Sequence, residues 1–306
     1  MLSEYALDPE AIEDIKDLRL LREAFGLTKG RLLAELPAGW AKAVGQRIVP
    51  TGGLNDGRVT ELLKLLQDGM TRRSAPGGVA FLAAAQAEHQ RRPFRAILTT
   101  GATTKGIPTV PFQEATESPL WVESRSLPWP RCPGTVRDNL PLFAALSREI
   151  QIVDPYFNLE KSACRLFLQE LLELVRAKRG PVACHVRVQI HLGLTHAGPV
   201  IDKDAWTARL ERIAPWVPLT VRVCHWSESA FGNRFHNRYL INDRGGIQFG
   251  DGLELKAFAG GQDTVNLLGE EAYLDLRSRL EQKIPDMEAQ WLIQRTRGIQ
   301  PSRSRG

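Results

Sequence analysis

Apolar residues at helical spacing dominate the first hundred positions. Asp8-Pro9-Glu10 offers a capping side chain, a proline at the first helical position and an acid in the first turn. Ile12, Ile15, Leu18, Leu20 and Leu21 then form one apolar face, which predicts a helix ended by Gly26. Further helices are predicted over Lys29–Glu35, Trp40–Arg47, Arg58–Gln67 and Val79–His89, and a short strand over Arg95–Thr99. Six prolines between Pro108 and Pro133 then block both helix and sheet ladders, so residues 101–135 read as a long, partly extended connection.

Beyond that point the period changes. Glu149–Val153, His185–Leu192 and Leu219–Cys224 read as strands, separated by helices over Lys161–Lys178 and Ala205–Ile213. Phe235–Ile241 and Gly246–Phe249 read as a pair of strands around an Asp-Arg-Gly-Gly turn, and Gly269–Gln294 as helical with a break at Pro285. The expected architecture is α/β: a mixed sheet flanked by helices, preceded by a mainly helical N-terminal region. The expected divisions are 1–100, the connection 101–135, an α/β domain over 136–290 and a tail over 291–306.

Composition narrows the class. With 306 residues, 43% hydrophobic and 25% charged, the chain is neither disordered, collagenous nor a disulfide-stapled miniature. Its four cysteines form no CxxC pair and read as reduced thiols. No apolar run approaches the ~18–20 residues of a membrane span, and the acidic start lacks a secretory pattern, so a cytosolic location is expected. The formal charge is +5, and the tail holds Arg295, Arg297, Arg303 and Arg305 without an acid. The body is therefore nearly neutral, which leaves room for a local basic patch or arm but not for a uniformly basic surface. Arg91-Arg92-Pro93-Phe94-Arg95 is one such cluster, read either as phosphate-touching or as a solvated helix end.

The chemistry concentrates in Phe235-His236-Asn237-Arg238-Tyr239-Leu240-Ile241-Asn242-Asp243. On a strand, His236 and Arg238 leave the same face. An imidazole beside a guanidinium suits a phosphodiester: one attacks phosphorus or protonates a leaving oxygen, the other binds phosphate oxygens. The ligand set Cys184, His185, His191, His196, Cys224 and His225 has no structural-zinc spacing, and adjacent Cys and His on a strand face opposite ways, so no metal is expected. Gly245-Gly246 lacks the lysine of a phosphate loop. The tryptophans, including Trp129, Trp206 and Trp226, read as core.

His236-x-Arg238-x4-Asp243, followed by six residues and Gly250, resembles the His-x-Lys-x4-Asp motif of the phospholipase D superfamily. The segment Ile150-Gln-Ile-Val-Asp-Pro-Tyr156 also resembles the strand and turn that open such a domain, and the resemblance covers roughly 136–265. The sequence departs in Arg238 for lysine and in Asp251 and Leu253 where the family usually has Ser and Asn. What the resemblance implies is a phospholipase D-like fold and a metal-independent, cofactor-free phosphodiesterase or nuclease. His236, Arg238 and Asp243 would be catalytic, and Arg234, Gly250 and Asp251 would bind substrate. A single motif copy implies a homodimer that completes the site. Nucleic acid, DNA ahead of RNA, is the expected partner, with service in phage defence. The alternative is a catalytically silent module that binds nucleic acid or a partner protein, with the N-terminal region as docking surface.

Overall fold

A computed structural model describes residues 1–48, 56–73, 79–101, 103–121, 124–179, 186–193, 202–213, 219–227, 237–256, 262–282 and 287–293. The chain is α/β with two sheets, one parallel and one mixed.

The first sheet contains β1 (Ser3–Leu7), β2 (Arg31–Glu35), β3 (Thr71–Arg72), β4 (Ala96–Thr99) and β5 (Thr109–Pro111), in the order β3-β2-β1-β4-β5. Every pairing in it is parallel. Parallel strands covered on both faces are continuous apolar runs, and Tyr5–Leu7, Leu32–Ala34 and Ala96–Leu98 are all buried. Its helices are α1 (Ile15–Ala24), α2 (Trp40–Ile48), α3 (Asp56–Gly69) and α4 (Phe81–Arg91).

Two expectations are corrected here. Lys29–Glu35 is not a helix: Arg31–Glu35 is β2, because a short apolar run buried on both sides has no periodicity to separate it from a buried helix. The first helix does not start at Asp8, which caps only the single turn Pro9–Ala11. It starts after Asp14, whose side chain accepts from the Lys16 and Asp17 amides while Asp17 bonds back in a capping box. The region carries more helix than strand, as expected, but a parallel sheet organises it.

The Pro-rich stretch is extended, as expected, yet it is built into both sheets. It supplies β5 to the first sheet and β6 (Ser126–Pro130) to the far edge of the second, where Pro128 and Pro130 can sit on an edge strand.

The second sheet has the order β13-β9-β8-β7-β10-β11-β12-β6. Its strands are β7 (Glu149–Val153), β8 (Val186–Gly193), β9 (Leu219–Trp226), β10 (Arg238–Asn242), β11 (Gly246–Phe249), β12 (Gln262–Leu267) and β13 (Met287–Ile293). β7, β8 and β9 run parallel; β10, β11, β12 and β6 continue antiparallel from β7. α5 (Thr135–Asn139), α6 (Pro141–Leu146), α7 (Ser162–Arg179) and α8 (Lys203–Ile213) cover one face, whose core holds Ile150, Ile152, Phe167, Leu171, Val188 and Val221. α9 (Glu270–Gln282) covers the other, through Tyr273, Leu276 and Leu280 against Val153, Cys224, Trp226 and Ile241. The expected helix over Gly269–Gln294 therefore ends at Gln282; Met287–Ile293 instead pairs antiparallel with β9 along its length. Met287-Glu-Ala-Gln-Trp291 alternates with a period of two, the strand signature that outranks helical propensity here.

The two sheets meet through side chains. Lys29 pairs with Glu270 at 2.7 Å, Arg148 with Asp68 at 3.7 Å, and Leu27 packs over Gly245 in the β10–β11 turn. Among the described residues no helix is long and apolar enough to cross a membrane.

Candidate active site

β7 and β10 are antiparallel neighbours with Tyr239 opposite Val153, so the register carries Arg238 opposite Asp154. This is the end where the parallel strands finish, the usual place for ligands in α/β sheets. Asp154 begins the Asp-Pro-Tyr turn. Its backbone amide bonds the His191 carbonyl at 3.1 Å, and its Oδ1 accepts from the Tyr156 amide at 2.9 Å. The carboxylate is 2% exposed. Burial pushes its pKa above the usual range, against the opposing pull of the Tyr156 amide and the Arg238 charge.

Arg238 reaches into the same corner. Its Nη1 donates to the Gly250 carbonyl at 3.0 Å, its Nε lies 3.8 Å from Asp154 Oδ1, and its Cζ lies 5.2 Å from the centre of the Tyr156 ring. The arrangement combines an ion pair, a charge-assisted hydrogen bond and a cation–π contact. Gly252 closes the corner from β11's side. Its φ is +114, and a Cβ there would sit 3.4 Å from Arg238 Nε and 3.7 Å from Asp154 Oδ2. The left-handed backbone conformation requires glycine, and the side chains around it stand at ordinary contact distance. Gly250 is held more closely, since a Cβ would meet Asp263 Oδ1 at 2.4 Å.

The sequence places two further acids near this corner, and the structure supplies their counter-charges. Glu254 accepts from Lys161 at 2.8 Å and lies 3.7 Å from Arg131. Asp251 is exposed, 3.9 Å from Arg131, and its amide is bound by Asp263. Leu253, in place of the family's Asn, is fully buried and contributes apolar packing. Arg131, Lys161 and Asp154 were not visible as site residues in the sequence. The Asp-Pro-Tyr turn was the signal for Asp154; the two cations had none, because only folding brings them to Glu254.

The corner thus gathers Arg238, Gly250 and Asp251. Asp243 is elsewhere, five residues along β10 and therefore roughly 16 Å away. There its Oδ1 accepts from the Arg148 amide at 3.0 Å and its Oδ2 lies 3.6 Å from Arg244, so it pins the entry to β7 to the β10–β11 turn. His236 and Arg234 lie outside the described residues, as do Cys184, His185 and His196. His191 is in the core: it is 1% exposed and its Nδ1 accepts from Trp226 Nε1 at 3.1 Å. Trp129, Trp206 and Trp226 are buried, as expected of core residues. Among the described residues no three His, Cys, Asp or Glu side chains are grouped to hold a metal ion.

No protein-family model matches the chain, and no curated protein matches it. Among solved structures the chain aligns with TrmBL2, an archaeal chromatin protein with a novel mode of DNA binding, at 13% identity over 87% of this chain and 96% of that chain. The TM-score is 0.27, and a superposition of that quality carries no functional argument.

Proposed function

We propose that this chain is a metal-independent phosphodiesterase of the phospholipase D type that cleaves nucleic acid, DNA ahead of RNA, as a cytosolic homodimer. His236 of one subunit forms a nitrogen–phosphorus bond as the phosphorus–oxygen bond to the leaving nucleoside breaks. His236 of the second subunit gives its proton to that oxygen. Water then attacks the phosphohistidine, the second histidine takes the water's proton, and the nitrogen–phosphorus bond breaks. Arg238 neutralises the phosphoryl oxygens as their charge grows. The proposal extends, on the resemblance alone, to a role in defence against phage.

One observation carries the reading. Two segments far apart in sequence, Asp154-Pro-Tyr156 and the His-x-Arg motif, both resemble the same family, and Asp154, Tyr156 and Arg238 lie in contact at one strand end. Chance resemblances have no reason to converge. The test is incubation of the full chain with single- and double-stranded DNA and RNA in EDTA, with His236→Ala in parallel. Cleavage that needs no metal and disappears in the variant supports the proposal; cleavage that requires Mg²⁺ or survives the substitution refutes it.

A second reading has its own observation. The Arg238 guanidinium already engages the Gly250 carbonyl and Asp154, which suits a silent module that keeps the fold and binds nucleic acid or a partner protein. Binding without cleavage, indifferent to His236→Ala, would favour it.

A further inference from the structure

A basic cleft runs along the junction of the two sheets, at the opposite end of β10 from Arg238. One depression of about 380 Å³ lies between the edge strand β3, the end of α3, the end of α6, Lys178 on α7 and the β10–β11 turn. A second, of about 350 Å³, adjoins it and shares Arg92 and Lys178. Together they are lined by Arg72, Arg92, Arg95, Arg148, Lys178 and Arg244. The acids there are Glu4, Glu35 and Asp68. Glu4 is withdrawn from that balance: it is buried and bound by Arg73 as well as Arg92.

The cations are unevenly satisfied. Arg148 shares Asp68 at 3.7 Å, and Arg244 shares Asp243 at 3.6 Å. Arg92 Nε and Arg244 Nε are buried without a hydrogen-bond acceptor. Arg72 and Lys178 are exposed and, among the described residues, have no acidic partner. A concave surface with this excess of positive charge, in a chain whose body is nearly neutral, is an anion site. A phosphate in the cleft meets the exposed guanidinium of Arg72 and the exposed ammonium of Lys178, which suit its oxygens.

We infer that this cleft docks the phosphate backbone of a polynucleotide, holding the strand away from the point of cleavage. The inference rests on the nucleic-acid reading above but not on turnover. Arg244 is six residues beyond Arg238, so a bound strand must extend roughly 20 Å to touch both ends of β10. A duplex covers that span in about six base pairs, at 3.4 Å per step. Contacts of this kind set affinity and register, carry no base preference, and are salt-dependent.

The experiment measures binding of a fluorescent duplex longer than that span by anisotropy across a salt series, in the His236→Ala background so that cleavage cannot intervene. Arg72→Gln/Lys178→Gln is compared with Lys16→Gln/Lys105→Gln, which removes equal charge from exposed positions elsewhere. Both pairs are surface changes that leave the core intact. The expected result is a slope of log affinity against log salt shallower by about 2 for the cleft pair, and affinity at low salt weaker on the order of tenfold, with the control pair close to the parent. Equal slopes for both pairs, or no polynucleotide binding by the parent, overturn the inference. Millimolar ATP or inorganic phosphate is the second arm. If these bind in a manner that depends on Arg72 and Lys178 while duplex binding ignores both, the cleft serves a small phosphate and the inference also fails. Cleft-dependent binding together with no metal-free cleavage by the unsubstituted chain would instead refute the enzyme and leave the cleft standing.

Discussion

Replacing His191 with glutamine should remove a defined part of the chain's acid sensitivity. The imidazole is 1% exposed between β8 and α9, and its Nδ1 accepts the Trp226 indole proton at 3.1 Å. Burial first, and the Arg222 charge second, lower its pKa from 6.5 to about 3. Folding therefore favours the neutral ring, and protonation would also displace the Trp226 bond. For a group with a depressed folded pKa, its share of stability is fully present above 6.5 and is lost as pH falls toward 3. Between pH 7.5 and 5 the linkage relation with those two values gives a loss of about 2 kcal/mol. Glutamine keeps an acceptor for Trp226 and does not titrate. Urea unfolding at both pH values, on the parent and His191→Gln, measures the difference directly. We expect the pH-dependent loss to be smaller in the variant by about 2 kcal/mol. Identical pH dependence in the two proteins would refute the burial and tautomer assigned to His191.

Three further outcomes test other parts of the structure. Glu4→Ala strands Arg73, whose side chain is 2% exposed, and should cost about 3–5 kcal/mol in chemical denaturation. Gly245→Ala drives a Cβ to 2.4 Å from Leu27 Cδ2 and should cost about 1–3 kcal/mol in the parent, and much less when measured against Leu27→Ala as the starting protein. Cys164 is fully buried with its thiol pushed up to about 12, so mass mapping after iodoacetamide treatment at mildly alkaline pH should find it unmodified in the folded chain and alkylated in urea.

The second sheet was legible in the sequence because its strands alternate with amphipathic helices bounded by Gly and Pro. β7, β8 and β9, with α7 and α8 between them, fall close to where periodicity puts them. Of the first sheet, β4 matches the strand expected over Arg95–Thr99, while β1 and β2 were hidden by their burial. Tyr5–Leu7 and Leu32–Ala34 are apolar on both faces, which erases the period-two signal. β13 was masked by the helix before it, since apolar content continues while the period changes. At the candidate site, Arg238 and the Asp-Pro-Tyr turn were visible as local strings, but their contact is a matter of strand register. Lys161 and Arg131 neutralise Glu254 across the fold, a pairing that charge counting along the chain does not show.

The most direct test of the account asks whether a nucleotide becomes bonded to His236. The protein is mixed with an internally phosphate-labelled oligonucleotide in EDTA, quenched in denaturant, and followed by intact mass and peptide mapping. A covalent adduct on His236 that is stable in alkali, lost in acid and absent from His236→Ala is the predicted result. Metal-independent cleavage that proceeds with no adduct on that residue, at the same rate in His236→Ala, would contradict it.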